Sequence, residues 1–173
     1  MNLEELIMHY HRQQKEIIRL SNMVERLYIA TGLAKKDMDE AEAAHAVEDE
    51  RAQTLERAEA GDAQAQFNVG WMYYYAKGVA EDSILGLEWL LKAANQGHVE
   101  AQWEMGNAYK TGRGVPTDPI SAYAWYSIAG ENGFVFGKKD KDIIAETMFA
   151  GQLIKADELI NQMVTTTPTL RNT

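Results

Sequence analysis

The sequence predicts an all-α protein, a short α-α superhelical solenoid of helix hairpins with an N-terminal helical coiled-coil arm. Three observations carry that expectation. A 36-residue offset runs without a gap from Gly61 to Gly97 and on to Gly133, and a fixed period of that size is the mark of stacked helical repeats. Apolar residues recur in heptads over residues 3–27, the pattern of a helix with one sticky seam. The chain also has only three prolines, which favours helix because proline removes a backbone donor and clashes with the preceding turn.

The arm comes first, over residues 1–34. Leu3, Tyr10, Ile17 and Val24 lie seven apart, with Leu6, Gln13, Leu20 and Leu27 interleaved at a spacing of three then four. β-branched Ile17 and Val24 at a, with Leu20 and Leu27 at d, favour a parallel two-stranded coil. Gln13 is one polar layer, and Tyr10 is a bulky a residue. These eight side chains are the expected oligomerisation residues of a homodimer. Ile7 and Tyr28 broaden the stripe, which leaves open a trimer or docking of the arm on the chain's own repeats. Arg12, Lys15, Arg19 and Arg26 are balanced by four acids, a weak combination for a lipid surface, and no membrane partner is expected. Thr31-Gly32 reads as the break after the arm. Residues 35–60 follow as an acidic linker (Asp37 to Glu50) and a capping helix whose stripe Ala52, Leu55 and Ala58 ends at Gly61.

The repeats span 61–164. Ala65/Ala101, Gly70/Gly106, Tyr73/Tyr109, Gly78/Gly114, Asp82/Asp118, Trp89/Trp125 and Ala93/Ala129 all fall in phase. In each unit a first helix, 62–76 in the first copy, carries small and aromatic residues at helical spacing. Gly70 and Gly106 sit inside that helix although glycine costs about 1 kcal/mol there, which points to another backbone passing close by. Asp82 and Asp118 are placed as N-caps of the second helix, 82–96 in the first copy, and Pro119 suits its first turn. Trp89 and Trp125 lie on the stripe expected to stack. Gly97 and Gly133 are expected as left-handed caps. Neither hairpin can bury its apolar face alone. Two further helices are expected at about 138–149 and 151–164, and residues 165–173 are expected to be a flexible tail.

The run G-x-x-x-A-x-x-x-[VM]-G-x-x-Y, then G-V-x-x-D, then W-x-x-x-A and a closing G resembles the Sel-1-like repeat family, relatives of the tetratricopeptide repeats. The resemblance covers residues 61–133 in two copies. It departs at Ala76, where the second copy has Gly112, and at Gly86, where the second has Ala122. It implies a protein–protein scaffold or adaptor.

Composition narrows the function classes. The net charge is −9 and cysteine is absent, so disulfides and thiolate metal sites are excluded. No segment supplies the basic footprint that nucleic acids require: residues 59–133 hold four Lys/Arg against nine Asp/Glu. His9, His11, His45 and His98 form no ligand cluster, and Gly112-Arg113-Gly114 lacks the lysine of a phosphate loop. No nucleophile, base and oxyanion donor assemble. No enzyme, no cofactor and no metal are expected. The opening Met1–Glu5 is acidic, unlike a secretory signal, and a cytoplasmic location is expected. Phe67, Trp71, Tyr74 and Tyr75 share one helical face of the first repeat. Trp103, Asn107 and Lys110 follow on the second, with Arg113 in the next loop. By similarity to tetratricopeptide stacks these positions line a concave surface, so they are the expected protein-binding residues for another protein or peptide. Burial of the same face as core, or its coverage by the chain's own N-terminal helices, stays open. An alternative function is a regulator that blocks a single target through its acidic surface.

Overall fold

The computed structural model describes residues 3–31 and 35–171, and among these every regular element is helical. The chain divides into two compact units, Met1–Arg51 and Ala52–Thr173.

In the first unit, helix α1 (Leu3–Thr31) is unbroken through all four heptads, about 43 Å long at the usual helical rise. It ends at Thr31, whose hydroxyl donates to the Leu27 carbonyl at 2.8 Å. Of the eight expected seam residues, Ile17, Leu20, Val24 and Leu27 are all exposed. The side chains of Leu3, Leu6, Tyr10 and Gln13 lie outside the described residues. The acidic stretch expected as a linker is instead helical: α2 runs from Lys35 to Glu59 without interruption. Alanine and glutamate dominate it, glycine and proline are missing from it, and such residues propagate a helix once it is nucleated. Its residues from Ala52 onward belong to the second unit.

The second unit holds three successive helix pairs, the first two of them packed hairpins. Helices α3 (Ala63–Tyr74), α5 (Val99–Thr111) and α7 (Val135–Ala145) begin one 36-residue period apart. Their partners are α4 (Ser83–Asn95), α6 (Pro119–Glu131) and α8 (Ala150–Thr166), and a 3-10 turn follows at Pro168–Leu170. Helix α7 thus starts three residues before the expected 138, because the period persists through Gly133. The backbone bonds repeat as well. Asp82 N–H donates to Tyr73 O at 3.1 Å and Asp118 N–H to Tyr109 O at 2.9 Å, closing each hairpin loop the same way. Asp82 and Asp118 cap α4 and α6 through their carboxylates, accepting from Leu85 N and Ile120 N. Gly61, Gly97 and Gly133 all adopt left-handed φ.

Successive helices pack in chain order from α3 to α7, and α8 lies against α6. The interior glycines mark the close approaches that their positions imply. A methyl on Gly70 would stand 2.9 Å from both Gly86 O and Leu90 N, and one on Gly106 would stand 2.5 Å from the Tyr126 ring. Of the expected stacking residues, Trp125 is 6% exposed and Trp89 only half-buried. Two amides tie the apolar layers together. Gln66 Nε2 donates to Ala58 O and accepts, at Oε1, from Gln96 Nε2. One period later Gln102 Nε2 donates to Ala94 O while its Oε1 accepts from Asn132 Nδ2. Residues 165–171 correct the expected flexible tail. Helix α8 extends to Thr166 and Leu170 is 1% exposed, because the Leu170 carbonyl finds a buried amide donor on α5 and a half-buried one at the end of α6.

Candidate partner-binding face

The expected binding residues all lie in the second unit, and the structure gives them different environments. Trp71 is the open one, 37% exposed. It sits on α3 one turn before Tyr75, with ring centroids 5.4 Å apart, and Lys77 Nζ lies 5.5 Å above it. Lys110, on α5, is exposed. Tyr75 is half-buried, and its hydroxyl donates to both oxygens of Glu104, at 2.9 and 3.1 Å.

Glu104 is a carboxylate only 5% exposed. Burial raises its pKa above the ordinary carboxylate value, opposed by hydrogen bonds from Tyr75 and from Asn107 Nδ2 at 3.4 Å. Asn107 in turn accepts from the Tyr126 hydroxyl at 2.7 Å. Burial raises the pKa of both tyrosines, and the charge of Glu104 pushes Tyr75 further in the same direction. Four side chains from α3, α5 and α6 therefore form one connected polar network behind Trp71. Such a network fixes rotamers, because every broken bond would strand a desolvated group. Glu104 was absent from the expected site residues. Its signal was a carboxylate on the inner face of α5 where the first repeat has Asn68, too slight to separate from an exposed acid.

Other expected residues do different work. Tyr74 is 2% exposed and belongs to the main core, so it offers a partner no contact area. Its position in the second repeat is Lys110, and the two repeats use that position oppositely. Phe67 stacks on the His98 ring at 4.5 Å. Trp103 packs on Phe134 at 5.7 Å and donates its indole N–H to Asp140 at 2.7 Å. His98 and Phe134 are themselves one period apart, so each α3-type aromatic is roofed by the residue that opens the next helix pair. That half of the aromatic stripe is covered by the residues that open the following repeats. Arg113 lies over the Tyr74 ring at 4.4 Å, donates to the Tyr74 carbonyl and pairs with Glu81 at 2.9 Å. It fastens the second repeat's loop to the end of α3 and already has an acidic partner.

What remains accessible is a strip of Trp71, Tyr75, Asn107 and Lys110 on a rigid polar backing. It provides contact area and hydrogen-bonding edges. Among the described residues no group of histidines and carboxylates is arranged to hold a metal ion, and no helix is long and apolar enough to cross a membrane.

Residues 63–98 and 99–134 each match the Sel1 repeat family. A protective antigen of uropathogenic Escherichia coli with an SLR fold superposes with a TM-score of 0.65 at 33% identity, over 69% of this chain and 26% of that one. A Sel1 repeat protein from Oxalobacter formigenes gives a TM-score of 0.52 at 32% identity, over 54% of this chain and 37% of that one. This chain thus spans about a quarter to a third of each of those proteins. Among curated proteins no sequence matches it. Sel1 repeats generally serve as protein–protein interaction scaffolds, and the family is typically non-enzymatic. With the period, the caps and the interior glycines all in register, this chain carries two consecutive Sel1 repeats.

Proposed function

We propose that this chain is an adaptor that holds a partner protein or peptide on the strip centred on Trp71 and self-associates through α1. The observation that carries the first half is Trp71 itself. A tryptophan left more than a third exposed, beside a tyrosine pinned by Glu104, presents large apolar area at little further entropic cost, the usual composition of a binding hot spot. The test is quantitative affinity capture from native lysate with the unaltered chain, Trp71→Ala and the control Ile84→Ala, which removes an exposed residue of α4. Partners should be lost from Trp71→Ala by a factor of about 30, for a hot spot of about 2 kcal/mol, and kept by the control. Equal capture by both variants rejects the strip. Binding that survives Trp71→Ala but falls steeply with salt would favour the acidic-surface regulator instead.

Self-association rests on the exposed Ile17, Leu20, Val24 and Leu27, which share one edge of α1 at heptad spacing. Light scattering should give a dimer mass for the full chain and a monomer mass for Ile17→Asp/Leu20→Asp, since two carboxylates would enter the seam. A dimer in both removes α1 as the seam.

A further inference from the structure

Residues 168–171 are held as a bound peptide is held. Leu170 is 1% exposed. Its carbonyl accepts from Gln102 Nε2 at 2.8 Å and from Asn132 Nδ2 at 2.6 Å. Thr169 Oγ1 donates to the Asn95 carbonyl, and Arg171 pairs with Glu131 at 2.7 Å. One apolar anchor, one carbonyl accepting two hydrogen bonds and one ion pair are how a short segment, here a 3-10 turn, is held by a preformed groove. The groove is the place where the ends of α4 and α6 meet α5.

The first repeat supplies an internal control. Gln66 and Gln96 form the same amide pair as Gln102 and Asn132, at 2.7 Å, and Gln66 holds the Ala58 carbonyl as Gln102 holds that of Ala94. Among the described residues no segment carbonyl joins that first pair. Among the described residues the first amide pair thus stands without a segment across it, the arrangement the second pair would have once its own segment left.

We propose that this groove is a second docking site, closed in the isolated chain by residues 168–171. Its external ligand is a short partner segment that forms the same 3-10 turn and carries a leucine followed by a basic residue. The leucine takes the place of Leu170, its carbonyl meets Gln102 and Asn132, and the basic residue meets Glu131. Tethered through α8, the resident segment acts at an effective concentration on the order of millimolar. It sets a threshold that a competing segment has to exceed.

The test uses a fluorescent peptide of sequence Thr-Pro-Thr-Leu-Arg-Asn-Thr, corresponding to residues 167–173, and the full chain with its own segment released by Leu170→Asp or, more gently, by Arg171→Glu. The peptide should bind the released chain saturably and the unaltered chain at least about tenfold more weakly. Replacing the peptide's leucine by alanine should cost about tenfold or more, as the loss of a buried leucine side chain implies. Asn132→Ala in the released chain should weaken it as well. No saturable binding to a released chain of normal helicity overturns the proposal, as does equal binding to released and unaltered chains. Loss of helicity in both releasing variants also overturns it, because the fold would then depend on the segment and no exchange could take place.

Discussion

Trp89 and Trp125 occupy the same position in consecutive repeats, yet only Trp125 is buried, sharing the main core with Ile128, Ile160 and Leu170. Trp89 lies half-buried beside the small cluster of Ala58, Ala65 and Val69, with Lys92 Nζ 3.7 Å above its ring. Lys92 stands where the second repeat has Ile128. The identical residue is core in one repeat and rim in the other, because coverage is set by what packs next and not by the repeat motif. Other paired positions differ in the same spirit. The first repeat opens α3 with Asp62 as cap, and the second opens α5 with His98. The first turns out of α3 through Ala76 at φ +53°, and the second through Gly112 at φ +78°.

The two tryptophans give the largest expected contrast. Trp125→Ala should cost about 3–5 kcal/mol of stability, as large-to-small core changes do, and Trp89→Ala only about 1–2 kcal/mol for its partial burial. Chemical denaturation of each variant checks this, and equal losses would dissolve the distinction between core and rim.

Next come the glycines. Gly106→Ala should destabilise by about 2 kcal/mol, since the new methyl meets the buried Tyr126 ring. Trimming that ring to the leucine of the first repeat, Tyr126→Leu, should recover part of the loss. Gly70→Ala should be as harmful and beyond such rescue, because its methyl meets the backbone at Gly86 O and Leu90 N. A double-mutant cycle that shows equal coupling in both repeats would refute this.

The caps predict a smaller, pH-dependent difference. His98 Nδ1 accepts from Ala101 N at 3.3 Å and Nε2 lies 3.2 Å from Gln64 Oε1, so the ring is neutral with its proton on Nε2. Burial lowers its pKa below the ordinary 6.5, against the opposing pull of Glu100. A histidine with a lowered folded pKa contributes stability in full above the unfolded value, and that contribution is lost as pH falls below 6.5 toward the folded value. At Asp62 the Ala65 backbone N–H, followed by Arg57, lowers the pKa, so its contribution persists until the acid range. Thermal melts should therefore show a loss of about 1 kcal/mol, one helix cap, between pH 7 and 5. His98→Asp should abolish it. A slope that persists in His98→Asp would assign it to another group.

The smallest effect should be a gain. A left-handed alanine costs about 1–2 kcal/mol, offset in part by the greater freedom of an unfolded glycine. Ala76→Gly should raise stability by up to about 1 kcal/mol, and a lower melting temperature would show that Ala76 is not strained.

Much of this was legible in the chain. The 36-residue offset is carried by side chains whose roles are local or strictly periodic: caps at Asp82 and Asp118, close approach at Gly70 and Gly106, left-handed turns at Gly61, Gly97 and Gly133. The candidate site was less legible, because its residues are shared between covered and open surfaces by elements that break the period. Trp103 is roofed by Phe134 and held by Asp140, in a third helix pair whose motif is lost. Tyr74 is core while its counterpart Lys110 is exposed. Residues 165–171 read as polar and loose by composition, and only amide donors on α5 and at the end of α6 give Leu170 its place.

The paired amides have a consequence for how such a protein can change in length. Apolar layers attract without direction, so a stack of them alone could slip by a helical turn and keep much of its energy. Gln66 and Gln102 forbid that. Each has to meet one carbonyl in the preceding helix and one amide at the end of its own hairpin, and a slipped stack would strand both groups at about 1–3 kcal/mol apiece. The amides thus proofread alignment, and they do so in the same way in both matched repeats. Whole 36-residue units can be inserted or removed with each join checked by its own amide, while an insertion of any other length between Gln66 and Gln96 puts the pair out of reach.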